Sequence, residues 1–418
     1  MKKDEIRPRE ACPEQHRRVV ITAMGLICAL GSTPEEIMAG FKSGRTTFCR
    51  PDFDENVVTA PVRGFDLRDF TGSCKERRYL NRGAQFSGAA AVAARQAGGL
   101  DTETAARAGL FVGAGPNLDV GGEFSRIDNG VIDEEDLMAL WILRFLPNTA
   151  ASTISLLIGA HGENLTVATA CTATLQAIGE AFRKIRDGHL DLAFAGGGDS
   201  RMNKGSILAY KKAKAIFVGE GDPTRASRPF DQDRKGFVPG EGGAFFLLEE
   251  REHAKRRGAK IYGEVRGFGT SLDGHSLTAP DPSGRWQEAA VRAALKEAGL
   301  TPAEIGLVAA HGTGTILNDA MEAKLLARIY GGQTPTVIAL KSWIGHLSVA
   351  CGAVELALCL ILMQNGYLPE IRNLTNPCQT GINFVTESKT ASPGTVLLEN
   401  FGFGGQNCAL IVQAQRAT

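Results

Sequence analysis

Apolar residues recur along this chain in two rhythms that alternate from about residue 17 onward. Short runs such as "RRVVITAMGLI", "GLFVGAG", "LDLAFAGGGD" and "GEGGAFFLLEE" are rich in strand-forming residues, and glycines flank them. They predict buried strands. Between the first two, "TPEEIMAGFKSG" predicts a helix with Thr33 as its N-cap. The second half follows the same plan. "KIYGEVRGFGTS" predicts a strand, "WQEAAVRAALKEAG" an amphipathic helix, and "IGLVAAHGTGT" a strand running into a loop. "HLSVACGAVELALCLILMQNG" predicts a loop leading into a long apolar helix, and "NCALIVQA" a closing strand.

The order of parts in residues 17–250 therefore matches that in residues 258–418. "LFVGAG" answers "LVAAHGTG", "ACTATLQAIGEAF" answers "HLSVACGAVELAL", and "GGAFFLLEE" answers "QNCALIVQA". This is a duplication of pattern rather than of residues. It predicts an α/β fold of two related halves, 17–257 and 258–418, with both central helices buried between layers. Residues 1–16 are polar and predict a disordered tail.

Composition narrows the class. The 418 residues are 43% hydrophobic and 22% charged, a soluble globular balance. Lys+Arg and Asp+Glu both number 46, which argues against nucleic acid as the main partner. No stretch reaches the roughly 18 uninterrupted apolar residues of a membrane span, and the N-terminus predicts no signal peptide. The nine cysteines have no CxxC spacing, against zinc-finger and redox-motif readings, and predict a reducing, cytoplasmic setting. The 50 glycines cluster in short loops, as they do around enzyme sites.

One cysteine stands apart. In "TACTATLQAI", Leu175, Ile178, Phe182 and Ile185 recur at three, four and three residues, one face of a helix. "NLTVATA" before it reads as a strand. Cys171 therefore falls on a sharp strand-to-helix turn at a helix N-terminus. Free N–H groups and the helix dipole favour a thiolate there, and small neighbours leave room for a substrate. A small core residue is the competing reading, and these ten residues leave both open. Two histidines in Gly-rich surroundings favour a site: His311 opening "HGTGT", and His346 in "KSWIGHLS". Zinc bound by the cysteine and both histidines would consume the thiolate, and the Lys341 charge would oppose it.

"TACTATLQAI", "HGTGT", "KSWIGH" and "NFGFGGQN", in this order, resemble the β-ketoacyl-acyl-carrier-protein synthases, type II condensing enzymes. The resemblance runs from about Arg17 to Gln413. It implies a thiolase-like fold of five layers, αβαβα. It implies that Cys171 takes an acyl chain, with the backbone N–H groups of Cys171 and Phe403 as an oxyanion hole. His311 and His346 would stabilise the enolate formed as a malonyl thioester loses carbon dioxide. Lys341, paired with Glu355, would orient the histidines. Thr313 and Thr315 would hold the pantetheine arm, and Phe401 and Phe403 would lie on a gating loop. Lys75, Arg78, Lys211 and Lys214 would meet an acidic acyl carrier protein, which brings the phosphopantetheine arm, so the chain needs no cofactor or metal of its own. A homodimer paired through "ENLTVATA" is implied, with a heterodimer as the alternative.

The chain departs from the pattern at Trp343, Asn318, Ser348, Pro116 and Asn117, which puts the acyl substrate in doubt and leaves two pathways open, housekeeping fatty acid synthesis and a specialised lipid or polyene pathway. Competing functions are a non-catalytic partner subunit, a decarboxylase-only relative, and a thiolase using Cys408 as a second cysteine.

Overall fold

The computed structural model describes residues 16–119, 127–128, 131–132 and 137–415. All but the last residue of the predicted tail lies outside them. The first strand, β1 (Val19–Ile27), leads to α1 (Pro34–Lys42). Thr33 caps α1 as expected, in a reciprocal capping box with Glu36. The first half continues with α2 (Arg82–Gly98), β2 (Gly109–Gly113), α3 (Thr149–Ile158), β3 (Asn164–Val167), α4 (Ala173–Arg186), β4 (Leu192–Ser200), α5 (Lys204–Lys212) and β5 (Glu241–Glu250). The second half holds β6 (Gly263–Leu272), α6 (Arg285–Ala298), β7 (Leu307–Ala309), α7 (Ile316–Tyr330), β8 (Thr336–Ile338), α8 (Cys351–Gln364), β9 (Thr395–Gly402) and β10 (Gln406–Ala414).

The strand order is β8-β7-β9-β10-β6-β1-β5-β4-β2-β3. Read outward from its centre, the two halves are the same: 1-5-4-2-3 and 6-10-9-7-8. Pairing senses repeat too. β1 with β5 and β5 with β4 are antiparallel, and β4 with β2 and β2 with β3 are parallel. β6 with β10, β10 with β9, β9 with β7 and β7 with β8 follow suit. The halves join where β1 runs antiparallel to β6, Val19 facing Val265. The duplication read from the sequence is thus a two-fold in the sheet.

Helices complete five layers. α2 and α3 pack outside the first half-sheet, and α6 packs against β6 and β10 outside the second. α4 and α8 lie between the half-sheets: α4 touches β2, β4, β6 and β10, and α8 touches β1, β5, β9 and β10. This position explains their composition. Every residue of α8 from Cys351 to Met363 is buried, so no face can be polar. The two helices cross closely at Gly352. A Cβ there would stand 2.6 Å from the Leu175 Cβ and 2.5 Å from the Asn400 Oδ1.

Gly352→Ala therefore reverses the usual sign. Glycine to alanine within a helix ordinarily stabilises, by up to ~1 kcal/mol. Here overpacking costs about 1–3 kcal/mol, and the thermal midpoint falls, as calorimetry will read.

Candidate active site

β3 ends at Val167, and the chain turns through a single 3-10 turn, Ala170–Thr172, into α4. Ala170 lies at φ 51°, a left-handed backbone that side-chain-bearing residues adopt rarely. The turn places Cys171, half-buried, on the walls of two cavities at once. The second half repeats the device. The turn Ser348–Ala350 precedes α8, and Ser348 lies at φ 47°. The thiol of Cys351 joins the two turns, donating to the carbonyls of Cys171 (3.1 Å) and Ser348 (2.9 Å).

The expected resting thiolate is corrected by this environment. Burial pushes the Cys171 thiol up to about 11; the Lys341 charge and a hydrogen bond from the Phe403 backbone N–H pull it down but do not prevail. Burial is the largest influence on this thiol, so the sulfur rests protonated near pH 7.

His311 follows β7 and His346 follows the short helix Lys341–Ile344. Their rings meet edge to face, centroids 5.4 Å apart. Both line the larger cavity with Cys171. Burial and then the Lys341 charge hold both well below the usual histidine pKa, so both are neutral near pH 7. The backbone N–H of His311 is fixed by Glu322 at 2.6 Å, and that of His346 by the Val238 carbonyl at 2.7 Å. Phe237 packs edge to face on His346.

The Lys341–Glu355 pair is present: Nζ to Oε1 is 2.6 Å, with both side chains buried. Burial works against the Lys341 ammonium, but the Glu355 carboxylate more than offsets it and its pKa is raised. Asn400 extends the pair towards the histidines. Its Nδ2 donates to Glu355 Oε2 (3.1 Å) and the Glu399 carbonyl (2.9 Å), and stands 3.4 Å from His311 Nδ1. A carboxylate and a carbonyl both demand a donor, so Nδ2 is the amide nitrogen. Nδ2 cannot accept a hydrogen bond, so a proton on His311 Nδ1 would face it unfavourably, and the environment favours the tautomer with its proton on Nε2.

The cavity wall beyond the histidines carries Thr313, Thr315, Asn318, Phe401 and Phe403. Thr313 Oγ1 lies 2.9 Å from Thr315 Oγ1. Phe401 is buried in the second half's core while its ring edge meets His311; it is both core and lining. Phe403 is 37% exposed and borders both cavities. Cys408 is buried within β10, paired with Asn400 across to β9; no second cysteine of the thiolase kind faces the site from there.

The basic residues divide. Lys214 lines the larger cavity, beside Lys235, which the sequence reading missed. Lys211 is instead tied to Asp54 at 2.5 Å. Lys75 and Arg78 sit on the short turn Lys75–Tyr79 and line neither cavity at Cys171. Among the departures, Ser348 and Pro116 line the smaller cavity, and Asn117 lines a third cavity behind it. Trp343 lines none of these: it is buried, donating to the Glu370 carbonyl (2.7 Å) with its edge on Phe41. Trp343 therefore bears on packing and not on substrate.

Several residues carried no signal of their own. Asp319 receives the backbone N–H groups of Thr313, Gly314 and Phe230, and Glu322 those of His311 and Gly312, so two buried carboxylates shape "HGTGT". Their i, i+3 spacing on α7 puts them on one helix face, the one cue available beforehand. Among the described residues, no three His, Cys, Asp or Glu side chains converge as a metal site, and no helix is long and apolar enough to cross a membrane.

Residues 16–254 match the family described as "Beta-ketoacyl synthase, N-terminal domain", and residues 262–375 match "Beta-ketoacyl synthase, C-terminal domain". The 3-oxoacyl-[acyl-carrier-protein] synthase 2 of Vibrio cholerae is 35% identical over 94% of this chain and 98% of its own length. A β-ketoacyl synthase structure from Burkholderia phymatum superposes with a TM-score of 0.88 at 32% identity, covering 96% of this chain and all of that one. A type II polyketide ketosynthase, bound to a hexaketide and in complex with its acyl-carrier protein, gives 0.85 at 25% identity, with 96% and 100% covered.

The raised thiol sets the pH profile of alkylation. Only the thiolate reacts, and with a pKa of about 11 its fraction grows about tenfold per pH unit throughout the neutral and mildly alkaline range. Iodoacetamide labelling of Cys171, followed by peptide mass spectrometry, will keep rising past pH 9 without a plateau. A plateau below pH 8 would instead mean a thiolate at rest.

Proposed function

We infer the reaction from one settled premise: this chain belongs to the β-ketoacyl synthase family. The proposed activity is that of a 3-oxoacyl-[acyl-carrier-protein] synthase, an acyltransferase of fatty acyl or polyketide chains. The observation that carries it is a cysteine on a strained turn, shared by two cavities, one of which it lines together with two neutral imidazoles.

The first half-reaction moves an acyl group from a carrier thioester to Cys171. The sulfur attacks the carbonyl, the carrier leaves as a thiol, and the Cys171 proton balances it. The backbone N–H groups of Cys171 and Phe403 stabilise the oxyanion. The acyl chain lies in the smaller cavity, which holds Cys171 and Phe403 but not the threonines. In the second half-reaction a malonyl thioester enters through the larger cavity, its pantetheine arm along Thr313 and Thr315. Loss of carbon dioxide leaves an enolate whose oxygen accepts from His311 Nε2–H and from His346. Two neutral donors suit this step, since a protonated imidazole would hand over its proton and quench the carbanion. The carbanion attacks the acyl-cysteine, a carbon–carbon bond forms, the carbon–sulfur bond breaks, and one proton returns to the sulfur. Lys341, Glu355 and Asn400 are positioning residues that fix the His311 tautomer.

On this reading the chain needs no cofactor of its own, because the carrier brings the phosphopantetheine arm. Lys214 and Lys235 at the larger cavity are the cations best placed to meet an acidic carrier, with Lys75 and Arg78 more remote candidates. A homodimer fits the edge strand β3, which ends the sheet with Leu165 exposed, and a heterodimer with a related chain would use the same edge.

Intact mass after incubation with acyl-carrier proteins tests the assignment. The native chain gains one acyl group, and Cys171→Ser gains none. His311→Ala still gains the acyl group but loses at least about a hundredfold in malonyl decarboxylation, the scale of a lost oxyanion donor. Acylation that persists in Cys171→Ser, or decarboxylation indifferent to His311, refutes these roles.

A further inference from the structure

The smaller cavity, about 890 Å³ in volume against about 1140 Å³ for the larger, is where the acyl group should lie on the reading above. Much of its wall suits a hydrocarbon: Ala114, Leu118, Ala168, Phe237 and Val349. One stretch does not. Arg201 lines it with its side chain only 6% exposed. Its Nε donates to Asp199 Oδ2 at 3.0 Å and its Nη1 to the Pro116 carbonyl at 2.6 Å. Its Nη2 has no hydrogen-bond partner among the described residues. Beside it, Tyr210 Oη and Ser348 Oγ face one another at 3.1 Å on the same wall.

The backbone makes room for this guanidinium. A Cβ on Gly115 would stand 2.7 Å from Arg201 Nη2 and 2.8 Å from Val349 Cγ2, so a larger residue there would push the guanidinium from its present place. A charged donor that borders the cavity without a protein partner is satisfied by water while the cavity is wet, and a hydrocarbon tail would remove that water without replacing its hydrogen bond.

We propose that Arg201 determines acyl specificity, its Nη2 donating a hydrogen bond to a neutral oxygen, a ketone carbonyl or a hydroxyl, carried on the remote part of the acyl chain. The inference rests on the condensing reading. Asp199 decides for a neutral acceptor over a carboxylate. It already compensates the guanidinium, and it also receives the backbone N–H groups of Ser200 (2.8 Å) and Val349 (3.2 Å). A second carboxylate would bring an uncompensated negative charge beside it in an enclosed space. A carbonyl takes up the N–H and adds none. Tyr210 and Ser348 offer a further hydroxyl donor to the same oxygen.

The test uses three six-carbon pantetheine thioesters: hexanoyl, 5-oxohexanoyl and adipyl. The readout is the rate at which Cys171 is acylated, followed by intact mass. The native protein loads 5-oxohexanoyl at least about tenfold faster than hexanoyl, the ratio expected when a site built to hydrogen-bond an oxygen meets a substrate lacking one. The paired substitution D199N/R201M, which removes both charges together, brings the ratio to one or below. Hexanoyl loading that equals or exceeds 5-oxohexanoyl in the native protein overturns the proposal, as does a preference for adipyl. If the paired variant fails to fold, the native ranking alone still decides. A protein acylated by none of the three, and by no acyl-carrier donor, overturns the condensing reading itself and this inference with it.

Discussion

Two buried helices cross in the middle layer where Gly352, having no side chain, lets Leu175 approach, and the site exists because they do. Each half of the chain sends its helix out of a strained turn, with Ala170 or Ser348 in a left-handed backbone. The close crossing brings both turns to one place, where the Cys351 thiol ties them together. A wider separation would leave Cys171 facing only its own half. The strain of about 1–3 kcal/mol per such residue is held by a surrounding core of completely buried side chains.

That same enclosure sets the electrostatics. Taking a lysine, a glutamate, two histidines and a cysteine out of water penalises every charged form. Lys341 stays charged because Glu355 accompanies it, and its field then lowers both imidazoles and the thiol alike. Burial first and the Lys341 charge second thus keep the histidines as neutral donors, while burial keeps the cysteine protonated. A surface pair could not do this, because solvent would screen it.

How far the sequence carried the reading follows from where each signal comes from. The duplication, the strands and both central helices were legible, α8 because complete burial leaves an unbroken apolar run and α4 because Leu175, Ile178, Phe182 and Ile185 mark one buried face. Cys171, His311, His346 and the Lys341–Glu355 pair were legible through motifs. The long helix Arg82–Gly98 was not singled out: it packs Ala and Gly close against the sheet and shows little periodicity. The resting state of Cys171 was misjudged, since a helix N-terminus is local while desolvation depends on residues over two hundred positions away. Lys211 looked free because Asp54 is remote in sequence. Arg201 gave no sign at all; its importance lies in a glycine 86 positions earlier.

The distribution of the site over both halves also has a consequence in time. Ribosomes deliver the first half, with Cys171, well before the second, and domains tend to fold in that order. His311, Lys341, His346 and finally Phe403 are added later, and the sheet cannot close its β9–β10 pair until after Phe403. A nascent chain therefore displays its cysteine for much of synthesis without the Phe403 N–H and without a second wall. On the proposed reading, acylation waits for the final strands, so an unfinished polypeptide is slow to capture acyl groups it could not pass on.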